Sequence, residues 1–390
     1  MGCGKVWSEA KPGVKPKKGI RGWFPHGPRC AVGAPTIQGI GREAEILLPA
    51  TDIRIESANV IHHLFGSKGL GRYRMLRVTA NSVLAAAILC AAPALAAEGT
   101  KRPDKVSFYF AAHQDDWQLF MNPSAFQDVL GGAAKTVFIH VTAGDAGLGS
   151  GTGDRKHPLY LARDNGAEQA VRFMADTEGV PDRGSVSTMP FNGHPIHRIG
   201  YRNTVSYFLR LPDGSPAGTG YAHTGFQSLK RLSDGNNNTL AAVDGSTAYH
   251  GWNDLVGTLR AIIDYERGET RLVQLNVAEL DPHINPGDHS DHLKTAEAAI
   301  AASRGLPCTR VVSYVDYASS KLPDNLDRHD RDMESSVFAV TLAGVQALGQ
   351  PTSWQHYDKS YVGRNYFRVQ EAPGNCALPA TDITARLRAR

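Results

Sequence analysis

The sequence predicts an α/β fold: a Rossmann-like, mostly parallel sheet with helices on both faces and a metal site at the carboxyl edge of its strands. Three features point there. From Val106 onward, apolar runs of strand length alternate with helical patterns, as a parallel sheet with crossover helices requires. The runs are almost continuously apolar, as strands covered on both faces should be. Two clusters of histidines and carboxylates, AHQDD and GDHSDH, each follow such a run, at the edge where open α/β sheets place their chemistry.

The elements follow in order. Residues 106–112 (VSFYFAA) read as the first strand and end in His113, Asp115 and Asp116. Residues 136–141 (TVFIHV) are the second strand, leading into the loop TAGDAGLGSGTGD. Residues 159–175 have helical spacing. Between 181 and 252 the pattern loosens, with turn signals at Pro212-Asp213-Gly214 and Asp234-Gly235-Asn236. That stretch is expected to be a loop-rich insertion at the mouth of the site, with 205–211 a strand before the first turn. Then come a helix at 255–265, a strand at 271–280 running into DPHINPGDHSDH, and a helix at 293–302. A strand at 310–317 and a helix at 335–348 complete the pattern.

A catalytic zinc takes three protein ligands and keeps one position for water. His113 and Asp116, three residues apart on a strand-exit turn, can face one ion, and His292 is the natural third ligand. Neutral imidazoles and a carboxylate suit zinc, with iron(II) and cobalt as alternatives. Asp115 lies beside a ligand and is placed to act as general base, kept ionised by a nearby cation. His289, three residues before His292, is the candidate to stabilise an oxyanion and protonate a leaving amine. Asp291 is the candidate to hold one imidazole in the right tautomer. Taken singly, each cluster has a plainer explanation, such as Asp115 or Asp116 capping the next helix. Two clusters, each after a strand, favour the metal. His140, His157, His194, His197 and His283 read as structural or surface residues. No glycine-rich fingerprint follows the first strand, which argues against nucleotide binding.

AHQDD, TAGDAG, LARDNGAEQA and GDHSDH occur in the order seen in the PIG-L (LmbE-like) deacetylases, and the chain resembles that family over most of 106–350. The resemblance implies a zinc enzyme that removes an N-acetyl group from N-acetylglucosamine-containing molecules. It implies His113, Asp116 and His292 as zinc ligands, Asp115 as general base, His289 as electrostatic stabiliser and acid, and Asp291 as orienting carboxylate. It also places Arg163 where the family has a substrate-contacting arginine. The usual run is AHPDDE; here Gln114 and Trp117 replace the proline and the glutamate. Neither position supplies a ligand, and Trp117 becomes a candidate for the binding surface. Gln114 with the long insertion resembles the secreted branch of the family.

Export is expected on independent grounds. Residues 75–96 have a basic flank, an apolar core of about ten residues and the small-x-small run Ala94-Leu95-Ala96, the anatomy of a signal peptide. The apolar core falls short of the roughly 20 residues of a membrane span. The reading competes with an uncleaved signal anchor. Residues 1–74, rich in Gly, Pro and Lys, read as a disordered or non-native leader, with translation expected to start at Met75. The leader holds 12 Lys and Arg against 5 Asp and Glu, and Arg77 adds one positive charge; of the formal +4, the domain 97–390 is left with −4. A mildly acidic domain gives no argument for nucleic acid. Cys308 and Cys376 are the two cysteines of that domain. They suggest one disulfide, against the alternative of two buried thiols. The expected protein is a secreted or periplasmic zinc amide hydrolase with a small-molecule or glycan substrate. Its rivals are a zinc hydrolase for another N-acyl or ester group and a non-catalytic carbohydrate-binding protein.

Overall fold

Strand β1 (Lys105–Ala111) is buried throughout because its side chains alternate between two separate cores. Val106, Phe108 and Phe110 enter one, and Tyr109 and Ala111 the other. This computed structural model describes residues 103–372 and Cys376, apart from residues 133, 154, 178 and 180. The leader 1–74 and the signal-like segment 75–96 lie outside the described residues.

After β1 come α1 (Asp116–Phe120), α2 (Ser124–Leu130), β2 (Ala134–Thr142) and α3 (Leu159–Asp176). Strands β3 (Ser185–Phe191), β4 (His194–Tyr201) and β5 (Thr204–Leu211) follow, then α4 (Leu229–Ser233), β6 (Leu240–Ala241) and β7 (Ala248–Tyr249). The remainder is α5 (Trp252–Arg267), β8 (Leu272–Ala278), α6 (Ser290–Ser303), β9 (Thr309–Tyr314), α7 (Arg328–Ala347), α8 (Trp354–Ser360) and β10 (Phe367–Gln370).

Eight strands form one sheet in the order β10-β9-β8-β1-β2-β5-β4-β3. The five central strands, β9 to β5, are parallel. The expected α/β sheet is therefore present, with antiparallel strands added at both ends: β10 on β9, and the β3–β4 hairpin on β5. Helices α4, α5 and α6 cover one face through Leu229, Leu255, Leu259, Ile262 and Ala299. Helices α1, α3 and α7 cover the other through Trp117, Phe120, Met174, Val337 and Phe338. From β1 the chain winds outward to β2 and β5, then returns to lay β8 on the opposite side of β1. That reversal opens a crevice beyond the carboxyl ends of β1 and β8, the usual place for a ligand in such sheets.

The segment 181–252, expected to be loop-rich, divides in two. Its first part supplies β3, β4 and β5, and β5 is a central parallel strand. Loops dominate only after Leu211, broken by α4 and the small β6–β7 ladder. Trp117 departs from its expected place at the binding surface: it is fully buried (0% exposed). Helix α1 starts at Asp116 and rolls the indole under the sheet against Phe138, where its Nε1–H donates to His140 Nε2 at 3.1 Å. Cys308 and Cys376 form a disulfide. Among the described residues, no helix is long and apolar enough to cross a membrane.

Candidate active site

The two motif segments meet at the crevice. His113 leaves β1, and its backbone N–H donates to Asp116 Oδ2 at 2.8 Å. That bond fixes the carboxylate and leaves Oδ1 facing the imidazoles. His292 sits in the first turn of α6, with Nδ1 held at 2.9 Å from Asp288 Oδ1 and 3.2 Å from Asp316 Oδ2. Its Nε2 is thereby turned toward His113. His113 Nδ1 lies 3.2 Å from His292 Nε2 and 3.5 Å from Asp116 Oδ1, and the last two atoms are 3.3 Å apart. A tetrahedral ion with ligand bonds of about 2.1 Å separates its ligands by about 3.4 Å. The three predicted donors already form one face of such a shell.

Charge at the centre has the matching sign. Burial alone would lower the pKa of His113, but the carboxylates of Asp116, Asp291 and Asp213 outweigh it and push it up to about 10. Burial is likewise outweighed at His292, which Asp116 and Asp288 raise well above its ordinary value. Burial would raise Asp116, yet the two imidazoles hold it well below the usual carboxylate range. Burial pushes two of the surrounding carboxyls up, Asp291 and, with the Asp288 charge, Asp316 to about 8. The centre thus gathers positive charge chiefly through the carboxylates around its two histidines. Beside the triangle, His113 Nε2, Asp291 Oδ1 and Asp316 Oδ1 are buried without a hydrogen-bond partner. Clustered histidines and carboxylates of this kind could hold a metal ion.

His289 caps α6: its Nδ1 accepts the N–H of Asp291 at 3.1 Å. A neutral ring must then carry its proton on Nε2, an assignment that follows from the bond. Burial and the neighbouring His113 and His292 push its pKa down to about 3, so the ring is a neutral donor. Asp291 Oδ2 accepts the N–H of Gly214 at 2.7 Å and lies 3.6 Å from His113 Nε2 and 3.9 Å from His289 Nδ1. A Cβ on residue 214 would stand 2.5 Å from Asp291 Oδ1, so glycine is what lets this backbone approach.

Asp115 accepts a hydrogen bond from Arg163 Nη2, which makes the pair a salt bridge. A chain of polar side chains stands behind it. Arg163 Nε donates to Gln114 Oε1 at 3.1 Å, and Gln114 Nε2 donates to Asp164 Oδ1 at 2.8 Å. Arg210 then bridges Asp164 and Asp244, at 2.9 Å each. The cavity at this centre, about 180 Å³, is bordered by His113, Asp115, Arg163, Asp213, His289 and Tyr317.

All seven residues singled out in the sequence therefore lie in one crevice. The sequence reading missed Asp213, Asp288, Asp316 and the chain from Gln114 to Asp244. Asp288 had a usable signal, since it stands four residues before His292 on the way into a helix. Asp213 read only as a turn residue, and Asp316 only as the end of a strand.

No family model matches the chain. No curated protein matches it either. Solved structures with a related fold include the zinc inhibited form of teicoplanin deacetylase Orf2, 16% identical, with a TM-score of 0.36 over 70% of this chain and 100% of that one. Another is the N,N'-diacetylchitobiose deacetylase of Pyrococcus horikoshii, 14% identical, with a TM-score of 0.38 over 73% and 91%. A third is the 4-carboxy-2-hydroxymuconate hydratase of Pseudomonas putida, 13% identical, with a TM-score of 0.33 over 66% and 82%. The reaction is argued from the site itself.

Proposed function

We propose that the chain is a zinc-dependent amide hydrolase that removes the N-acetyl group from an N-acetylglucosamine-containing glycoconjugate. The observation that carries the reading is the triangle of His113 Nδ1, Asp116 Oδ1 and His292 Nε2, with edges of 3.2 to 3.5 Å. These three residues would hold the zinc. Once bound, the ion would acidify a water molecule and polarise an acyl carbonyl. Asp115 takes the proton of the attacking water. His289, neutral, offers Nε2–H as a hydrogen bond to the carbonyl oxygen as negative charge builds there. A ring with one proton is not also the acid, so Asp115 hands the water's proton on to the leaving nitrogen. The C–N bond breaks, the amine leaves, and acetate follows. Asp291 faces His113 more closely than His289, so its orienting role falls on the ligand ring. Arg163 holds Asp115 and reaches the substrate side of the cavity. Export belongs to the proposal and is supported by the signal-like segment 75–96 and the Cys308–Cys376 disulfide.

The test is metal content of the purified domain 97–390, together with acetate release from N-acetylglucosamine conjugates before and after chelation. One equivalent of zinc and chelator-sensitive release are expected. Asp115→Asn should keep the metal and lose turnover by about a hundredfold to ten-thousandfold; His113→Ala should lose both. Full turnover by Asp115→Asn would remove it as the base. Sugar binding without metal or hydrolysis would instead favour the non-catalytic reading.

A further inference from the structure

We propose that the substrate carries an apolar chain, and that this chain lies in a second cavity between α3 and α7. The inference rests on the amide-hydrolase reading above. The second cavity is about 340 Å³ and shares Asp115, Leu159, Arg163 and Tyr357 with the catalytic one. Beyond that common wall it runs along Leu342 and Val345 of α7 and the following Pro351.

Size comes first. The cavity lies in the range of small-molecule sites and far exceeds an acetyl group. Continuity comes second. Asp115, Leu159, Arg163 and Tyr357 line both spaces, so a substrate amide presented to Asp115 lies one shared wall away from Leu342. Chemistry comes third. The polar side chains in the wall are largely engaged inside the protein. Thr341 Oγ1 donates to Val337 O at 3.1 Å, and Thr352 Oγ1 accepts from Gln346 Nε2 at 2.7 Å. The amide of Gln114 is taken by Arg163 and Asp164. A sugar ring would find few partners here, whereas methylene groups would find aliphatic walls. The charge lies at one end, beside the reacting groups, and the apolar surface extends away from it.

The chain could be the N-acyl group itself or an alkyl group on the far side of the sugar. Kinetics on two series distinguish these: glucosamine bearing N-acetyl, N-butanoyl or N-hexanoyl groups, and N-acetylglucosamine as methyl, butyl or hexyl glycosides. In one series kcat/KM should rise about threefold to fourfold per methylene, the value of moving that group out of water. Leu342→Trp should cut the ratio of six-carbon to shortest substrate at least tenfold in that series. Thr352→Trp, at the half-exposed mouth, replaces it if Leu342→Trp does not fold. A flat dependence in both series, or a ratio that neither variant moves, overturns the proposal. If the wild-type protein hydrolyses no amide, the hydrolase reading fails separately, and calorimetry with hexanoic acid decides the cavity. Binding weakened by Leu342→Trp keeps it as an apolar-chain site, and no binding to the wild type removes it.

Discussion

His140 shows at one residue how the interior sets protonation. Its Nε2 accepts from Trp117, and its Nδ1 lies 3.3 Å from Tyr207 O, so the ring is locked neutral with the proton on Nδ1. Burial pushes its pKa down to about 4 from an ordinary 6.5. A depressed histidine favours the fold while the unfolded ring is neutral, and that contribution is lost as pH falls from 6.5 toward 4. Relative to His140→Gln, which can make both bonds without titrating, wild-type stability should fall by about 3 kcal/mol across that window in denaturant titrations. A constant difference between the two proteins would contradict this. Gln114 has a different task, joining Arg163 to Asp164. Gln114→Leu should cost about tenfold to a hundredfold in kcat/KM, the worth of a hydrogen bond to a charged group, with metal content retained. Turnover equal to wild type would show that Arg163 needs no such support. His113, Asp116, His289 and His292 were legible because their spacing carries chemistry. Asp213, Asp288 and Asp316 were not, because a lone carboxylate in a turn or at a strand end looks like any turn former or cap. Trp117 was misplaced because no pattern in the sequence tells whether a residue beside a motif faces solvent or core.

Among the elements, helices were read from their apolar stripes and so were cut short at polar ends. Helix α6 starts at Ser290 because His289 caps it, and α7 starts at Arg328 because Asp327 accepts from the N–H of Asp330. Both first turns are polar and carry no periodic signal. The β3–β4 hairpin escaped notice for a related reason: β3 is mostly exposed at the sheet edge and lacks the continuous apolar run of the central strands. Helices α3 and α7 meet where two glycines oppose each other. A Cβ on Gly166 would stand 2.6 Å from Thr341 O, and one on Gly344 would stand 2.8 Å from Gly166 Cα. Gly166→Ala should therefore destabilise the domain by about 1–3 kcal/mol, the usual cost of overpacking, in chemical denaturation. Unchanged stability would mean that the two helices separate freely.

At the scale of the whole molecule, the α/β class was legible because buried parallel strands announce themselves as unbroken apolar runs. The antiparallel additions were not, since edge strands are short or polar. The Cys308–Cys376 bond ties the chain before β9 to the chain beyond β10, across a separation of 68 residues. Replacing both cysteines with serine should lower stability by about 4 kcal/mol on the loop-closure estimate, visible as a lower melting temperature. An unchanged melting temperature would leave the bond without a stabilising role. The order of strands also bears on how the protein comes into being. His113 and His292 are neighbours in space but 179 residues apart in the chain. A polypeptide still emerging from the ribosome presents two of the proposed donors and waits for the third until α6 has been made. Capture of the proposed ion would thus be a late event in the life of each molecule, and a prematurely ended chain would be inert rather than half active.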